Sequence, residues 1–446
     1  MKKFIETLKN CWKVEDLRTR LLITILFVAI YRFGSFVVLP GINPANLEKL
    51  QQQTAGGLMS LLDMFSGGAF SNASIFALGI MPYISASIVM QLVAIAVPSF
   101  QKMQREGASG QKKIMQYTRY LTVAILLFQA PSYLMNLKMQ SPGALASGLS
   151  WTEFMIPATI ILAAGSMFIL WLGERITDKG VGNGISLIIM IGIIARLPQA
   201  FFQEVGSRFT AITGGGLVMF IVEILILYAV VCAAILLTQG TRKVPVQYAK
   251  KLVGNTQYGG ARQYIPLKLF AANVMPIIFA QALMFIPLAI VQYSSDNLGT
   301  FARSLLDNRS LTYNIIYVIL IIAFTYFYTA ITLNPTQMAE DMKRNNGFIP
   351  GVKPGKPTAD YIEEIMSRMT LPGSLFIAFI AIMPALAGLL NVQQGFAQFF
   401  GGTSLLILVG VVIDTIQQVQ SHLMMRHYDG LLNSGRTRPQ TGINAY

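Results

Sequence analysis

The chain has 446 residues, of which 54% are hydrophobic and only 12% are charged. Soluble globular domains carry roughly 25% charged residues, so about half of the usual charge is missing. The apolar residues come in long runs, many of which reach the roughly 20 residues that a helix needs to cross a bilayer core. Composition therefore excludes an ordinary soluble protein and indicates an all-α membrane protein that crosses the bilayer many times.

The first apolar run, 21–39, is too long for the apolar core of a signal peptide and lacks a small-residue cleavage site. We interpret it as the first membrane helix and residues 1–20 as an amphipathic N-terminal segment on the membrane surface. Ten runs in all are long and apolar enough to cross the membrane. The predicted spans are 21–39, 75–97, 114–137, 154–172, 185–203, 216–238, 266–292, 311–333, 372–390 and 403–424.

Lysine and arginine are distributed unevenly between these spans. With the amino terminus inside, 27 of them lie on the inner side, counting Arg119 and Lys268 at the inner ends of their spans, and six lie on the outer side. The positive-inside rule then places both termini, including the tail 425–446, in the cytoplasm. Ten spans divide into five and five, in halves 21–203 and 204–424. Because five is odd, the second half enters the membrane from the opposite side, which predicts an inverted repeat around a central pathway.

One outer connection and two inner connections are unusual. In the outer connection 40–74, the stretch of about 58–71 is apolar but too short to cross the membrane, which favours a short re-entrant helix over a helix on the surface. The basic inner loop 239–265 alternates like a β-hairpin. The inner loop 334–371 predicts a short helix after Asn334, a turn, and a second helix to Met369 capped by Thr358. Two long basic loops on one membrane face favour a docking surface for a partner. Positive-inside bias alone explains their charge but not their length.

Residues for catalysis, metal binding or cofactor binding are scarce. The chain has two cysteines and two histidines, and its predicted spans hold few ionisable groups besides Arg32, Glu223 and Asp414, with Arg196 near a span end. Ion-coupled transporters usually place acids or histidines along a relay, and none is evident, nor does the sequence give Glu223 a partner. We expect no cofactor, no metal and no catalytic site. Paired isoleucines four residues apart, such as Ile185 and Ile189, would on spacing alone be lipid-facing or core residues.

Six motifs, in order along the chain, resemble those of the SecY family of protein-conducting channels. They are 64–69 (MFSGGA), 77–87 (ALGIMPYISAS), 116–120 (QYTRY), 182–186 (GNGIS), 348–351 (FIPG) and 401–407 (GGTSLLI). The resemblance implies ten transmembrane helices in two inverted five-helix halves around a central pore with a short plug helix. It also implies a ring of aliphatic side chains at the waist of the pore. Carried over by motif, the ring is Ile80, Ile84, Ile185, Ile189, Ile278 and Ile407.

The resemblance further implies a plug, a lateral gate and docking residues. The plug includes Leu61, Leu62, Asp63, Met64, Phe65, Ser66, Gly67 and Gly68. The gate positions are Ser85, Ser87, Gln129 and Asn273. The docking residues are Arg242, Lys243, Lys250, Lys251, Lys353 and Lys356. Lys353 stands where the family usually has arginine, so the contact at this loop tip loses a planar, bidentate donor.

The function implied is passage of unfolded secretory polypeptides across a bacterial inner membrane and sideways release of membrane helices into lipid. The implied partners are SecE-like and SecG-like small subunits, the SecA ATPase motor, the ribosome, precursor proteins and lipids. Two alternatives belong to other classes. A secondary transporter would share the inverted repeat, but the missing relay and the long inner loops argue against it. A membrane enzyme would need a catalytic constellation, and the sequence offers none.

Overall fold

The structure is a computed structural model. It describes residues 12, 14–47, 63–145, 150–210, 216–248, 251–253, 256–258, 262–269, 275–281, 283–284, 310–389 and 392–434. The helices are α1 (Glu15–Gly34), α2 (Met81–Ala96), α3 (Pro98–Arg105), α4 (Ala108–Gln140), α5 (Trp151–Lys179), α6 (Gly184–Thr210), α7 (Gly216–Gln239), α8 (Leu311–Thr332), α9 (Pro335–Arg344), α10 (Lys356–Leu389), α11 (Gln394–Ala397) and α12 (Gly402–Ser434). Residues 275–281 are also helical. The strands are β1 (Thr241–Tyr248), β2 (Lys251–Val253), β3 (Thr256–Tyr258), β4 (Arg262–Lys268) and β5 (Gly347–Phe348).

The helices confirm an all-α membrane fold. Within the described part of the chain, seven helices are long and apolar enough to span a membrane, or eight if the bent pair α2 and α3, which meet at 104°, forms one span. Helix α1 is not among them, because it ends at Gly34, short of the predicted residue 39, and any 18 consecutive residues of it include Arg18, Arg20 and Arg32. The predicted span 266–292 falls mostly outside the described residues. The full count of ten therefore stays a prediction.

The region before α2 differs from the prediction. The second span was predicted from residue 75, but its helix begins at Met81. Residues 66–80 form turns instead, and an isolated antiparallel bridge pairs Ser74 with Val38. Gly67, Gly68 and Gly79 adopt positive φ angles, which end a helix and favour turns. Of the predicted plug helix 58–71, only 63–65 is helical among the described residues, so the expectation of a helix there is wrong for 66–71.

The two long loops 239–265 and 334–371 form one body. Strand β1 pairs antiparallel with β4, which confirms the predicted hairpin in 239–265, and β4 runs on through residues 266–268 that were assigned to the seventh span. Strand β1 also pairs with β5, so that Gln247 lies opposite Phe348 in the loop 334–371. Val244 and Val246 point to one buried face, where they pack against apolar residues of α9 and α10. We call these packed strands and helices the loop body.

The second half of that loop differs from the prediction. The Asn334 side chain caps α9 by accepting from the amide of Gln337, at 3.3 Å, as expected of the short helix. Thr358, however, lies inside the first turn of α10 and donates to the carbonyl of Lys353 at 2.8 Å, so it is not the N-cap. The helix does not stop near Met369; α10 continues through Pro372 to Leu389. Proline within membrane helices is tolerated because neighbouring groups satisfy the freed carbonyl.

Two of the apolar clusters among the described residues share α12. One lies where α1, α5 and α6 meet the start of α12, and the other lies among α7, α8, α10 and α12. Helix α6 packs against both α7 and α12. It also continues to Thr210, past residue 203, where the sequence suggested the end of the first half. These contacts join the early and late parts of the chain through α6, α7 and α12.

Candidate functional site

All six isoleucines of the predicted ring meet at one apolar cluster. Ile80, Ile189 and Ile407 are buried members of it, with at most 5% of their surface exposed. Ile84, Ile185 and Ile278 are partly buried and pack against it. The side chains come from α2 and the residue before it, from α6, from the helical residues 275–281 and from α12. Folding therefore brings together residues that lie up to 327 positions apart in the sequence.

Branched aliphatic side chains make such a cluster apolar and unable to bind water or ions. They offer no hydrogen bonds to water or to ions, and a narrow apolar constriction dewets and excludes ions. They can also yield to a bulky chain without binding it, since their attraction is the non-directional hydrophobic effect. The cluster can therefore seal a pathway at rest.

The turn segment 63–71 packs on the same cluster through Met64 and Phe65. Three donors from neighbouring helices hold its backbone carbonyls. The Tyr31 hydroxyl donates to Ser66 at 3.1 Å, Arg32 Nη1 donates to Gly67 at 2.9 Å, and the Tyr133 hydroxyl donates to Phe70 at 2.9 Å. The predicted plug residues Asp63 to Gly68 therefore lie beside the isoleucines, whereas Leu61 and Leu62 lie outside the described residues.

An ion pair also fixes this segment. Arg196 Nη2, on α6, pairs with Asp63 Oδ2 and donates to Ser71 Oγ at 2.6 Å. Asp63 Oδ1 accepts from the amide of Ser71 at 2.8 Å. Asp63 lies in the predicted plug and Arg196 near a predicted span end, but their separation in the sequence does not pair them; the available signal is that an ionisable residue at a span end usually has a partner.

The predicted gate positions lie only partly within the described residues. Ser85 and Ser87 lie half-buried on α2, and Gln129 lies half-buried on α4. Helices α2 and α4 pack against each other, and Gln91 Nε2 lies 3.5 Å from Ser87 Oγ within α2. Asn273 lies outside the described residues, so the structure does not describe the opposite side of the predicted lateral gate.

Four of the predicted docking residues lie on the loop body. Arg242 and Lys243 are exposed on β1, and Lys353 and Lys356 are exposed at the turn that leads into α10. The pairing of β1 with β5 joins the two loops that carry these residues into one folded body. Lys250 lies outside the described residues, and Lys251 begins β2 with a side chain that the structure does not describe.

Glu223 has a partner that the sequence did not reveal. Arg208 near the end of α6 pairs with Glu223 on α7 and, through Nε at 2.8 Å, with Glu204 on its own helix. Glu204 Oε2 also accepts from the amide of Gln393 at 2.9 Å. Both carboxylates are fully buried. The cluster joins α6, α7 and the segment before α11 at one point.

A family model described as SecY matches residues 74–416. The chain belongs to the SecY family. A relative from Streptomyces coelicolor, named protein translocase subunit SecY, is 40% identical over 95% of this chain and 98% of its own length. The same-named protein of Mycobacterium tuberculosis is 39% identical over 96% of this chain and 99% of its own length.

Solved structures agree in fold with this SecY-family chain. A structure of a protein-conducting channel aligns with a TM-score of 0.61 and 18% identity, over 91% of this chain and 92% of that chain. Sec61 in a canine ribosome–channel complex from the endoplasmic reticulum aligns with a TM-score of 0.57 over the same shares, also at 18% identity. The ring motif 77–87 and the motif 401–407 both lie within the residues that match the family model.

Proposed function

We propose that the chain is the protein-conducting subunit of a bacterial Sec translocase. It passes unfolded secretory polypeptides outward across the plasma membrane and releases transmembrane segments sideways into lipid. Membership in the SecY family supports this assignment, since the curated relatives are named translocase subunits. The observation that carries it in the structure is the meeting of six isoleucines from distant parts of the chain at one cluster.

The six isoleucines form the pore ring in this proposal. At rest they pack closely and exclude water and ions. A translocating chain pushes them apart without forming lasting bonds to them. The segment of about 58–71 covers the ring from the outer side, as the contacts of residues 63–71 with the cluster support. Ten spans in the halves 21–203 and 204–424 complete the pathway, with residues 1–20 and 425–446 in the cytoplasm.

The lateral gate lies beside Ser85, Ser87, Gln129 and Asn273. Uncharged polar side chains suit a seam between helices because each hydrogen bond across it is worth only about 1 kcal/mol in a membrane. A hydrophobic signal sequence can therefore replace the seam and pass into lipid. The half-buried state of the three described residues is compatible with a seam that opens.

The loop body faces the cytoplasm in this proposal, and its exposed basic residues bind the partners that drive transport. Its exposed residues Arg242, Lys243, Lys353 and Lys356 would contact the SecA motor or ribosomal RNA. A solved relative in fold was captured in a ribosome–channel complex, which supports a ribosome as one partner. SecE-like and SecG-like subunits complete the complex. The chain catalyses no covalent reaction, and the motor or the ribosome supplies the energy.

Reconstitution tests this function. The chain, its small subunits, SecA and ATP are placed in liposomes, and protection of a labelled secretory precursor from protease is measured. We expect protection that requires ATP and a signal sequence on the precursor. A correctly oriented complex that gives no protection, but whose liposomes take up a labelled small solute, would contradict the proposal and favour a secondary transporter.

A further inference from the structure

One face of α6 carries both ring isoleucines and the contacts that hold segment 63–71. Ile185, Ile189, Gly192 and Arg196 follow one another at intervals of four, three and four residues. This spacing keeps side chains on one face of an α-helix. Ile185 and Ile189 contact the isoleucine cluster, whereas Gly192 and Arg196 lie against the segment. The ring and the site that holds the segment therefore belong to one rigid element.

Gly192 allows the segment to lie directly on α6. A Cβ atom at this position would lie 2.8 Å from the carbonyl oxygen of Phe65 and 3.2 Å from the amide nitrogen of Gly67. Both neighbours are backbone atoms, which cannot move away unless the segment itself moves. Any side chain at residue 192 would therefore displace the segment from the helix.

Arg196 holds the same segment electrostatically. Its guanidinium pairs with the Asp63 carboxylate and donates to Ser71 Oγ, and that carboxylate accepts from the Ser71 amide. The carboxylate thus ties the two ends of the segment to each other and to α6. The Asp63 side chain is only 7% exposed and that of Arg196 27% exposed, so solvent screens this pair less than a surface pair.

The hydrogen bonds that the segment accepts from Tyr31, Arg32 and Tyr133 are of a different kind. Tyr31, Arg32 and Tyr133 all donate to backbone carbonyls of the segment. Those contacts need only a carbonyl in place and do not depend on the side chains of the segment. The Asp63–Arg196 pair depends on two specific side chains of opposite charge.

We propose that Asp63 and Arg196 form an ion-pair latch that keeps segment 63–71 on α6 while the channel is at rest. This proposal rests on the proposed function and adds to it an ion pair that couples the isoleucine ring to segment 63–71. When a polypeptide displaces Ile185 and Ile189, α6 moves and carries Arg196 with it, which separates the pair. Asp63 and Arg196 are positioning residues, since neither needs to touch the polypeptide.

The test measures how often the segment leaves α6. Cys11 and Cys232, the two cysteines of the chain, are replaced, and Ser66→Cys serves as the reporter because Ser66 is buried. The complete complex is reconstituted without SecA or ATP. A membrane-impermeant maleimide is added on the outer side, and the rate of labelling is recorded for each variant.

We expect Asp63→Asn and Arg196→Gln each to raise the labelling rate roughly tenfold, since a partly shielded charged hydrogen bond is lost. The double variant should label no faster than either single variant, and the exchange Asp63→Arg with Arg196→Asp should restore slow labelling. Gly192→Ala should also raise the rate. Matched controls are Gly206→Ala, on α6 with open space around its added Cβ, and Glu153→Gln, an exposed carboxylate on α5; neither should change the rate.

Unchanged labelling in both single variants, or rates that multiply in the neutral double variant, would overturn the latch. The neutral double variant decides the question even where the exchanged pair fails to assemble. Every variant is also tested for ATP-dependent protection of a precursor. Wild-type complex without protection rejects the proposed function, whereas full protection with unchanged labelling rejects the latch alone.

Discussion

Arg208 near the end of α6 pairs with Glu223 on α7, fifteen residues later, and both side chains are buried. The pair spans the connection between the two helices that join the early and late parts of the chain. A second buried carboxylate, Glu204, shares the same guanidinium. One buried cation therefore pairs with two buried carboxylates.

Loss of Arg208 should consequently cost much more stability than loss of a surface arginine. Arg208→Met leaves two buried carboxylates without their cation, and breaking a buried pair in this way costs about 3–5 kcal/mol. Glu223→Gln should cost less, because the amide oxygen can still accept from Arg208. Thermal unfolding of the purified complex in detergent measures both effects as changes in Tm.

Arg368→Met is the matched control, since Arg368 forms an exposed pair with Glu364 on α10. Surface pairs contribute about 0–1 kcal/mol, so its Tm should stay near that of the wild type. Equal Tm values for Arg208→Met and Arg368→Met would show that the buried cluster does not stabilise the fold.

A polar substitution in the ring should make the resting channel leak. Ile189 is buried in the isoleucine cluster, and Ile189→Ser removes apolar surface and adds a group that hydrates. Since dewetting depends on an apolar lining, ion conductance of the resting complex in planar bilayers should rise. Ile194→Ser on the same helix is the control, because Ile194 is exposed at the surface of the chain. Similar conductance in both variants would argue against a sealing role for Ile189.

The tip of the second inner loop should determine partner affinity. Lys353→Ala with Lys356→Ala removes two exposed charges, each worth up to about 1 kcal/mol, so the affinity for SecA or ribosomes should fall roughly tenfold. The loss should shrink at high salt because exposed charges are screened. Lys112→Ala with Lys113→Ala, two exposed lysines at the start of α4, is the control. An equal loss in both double variants would indicate general electrostatic attraction rather than a specific contact.

The helices were largely predictable because long apolar runs dominate the sequence. The predicted starts of α6, α7 and α8 lie within one residue of the observed ones. The turns at 66–80 were missed, since they depend on glycines with positive φ that hydropathy does not register. The continuous α10 was also missed, because a proline such as Pro372 normally suggests a boundary.

Local spacing alone could not assemble the site. The intervals within α6 place Ile185 and Ile189 on one face, but Ile278 and Ile407 join them only through packing of distant helices. The motif 401–407 supplied Ile407, whereas Ile278, which lies outside the six motifs, was implied by the resemblance to the family. The Asp63–Arg196 pair depends on how a turn lies on a helix, and the β1–β5 pairing depends on two loops meeting. Neither relationship leaves a periodic signal in the sequence.

The most direct test of the account asks whether a polypeptide passes through the isoleucine ring. Ile80→Cys and Ile278→Cys are introduced into a chain without Cys11 and Cys232, crosslinked, and assayed for ATP-dependent protection of a secretory precursor in liposomes. We expect protection to disappear on crosslinking and to return when the same sample is reduced. Protection that persists with the crosslink verified as complete would contradict the account, since the polypeptide would then take a path outside the ring.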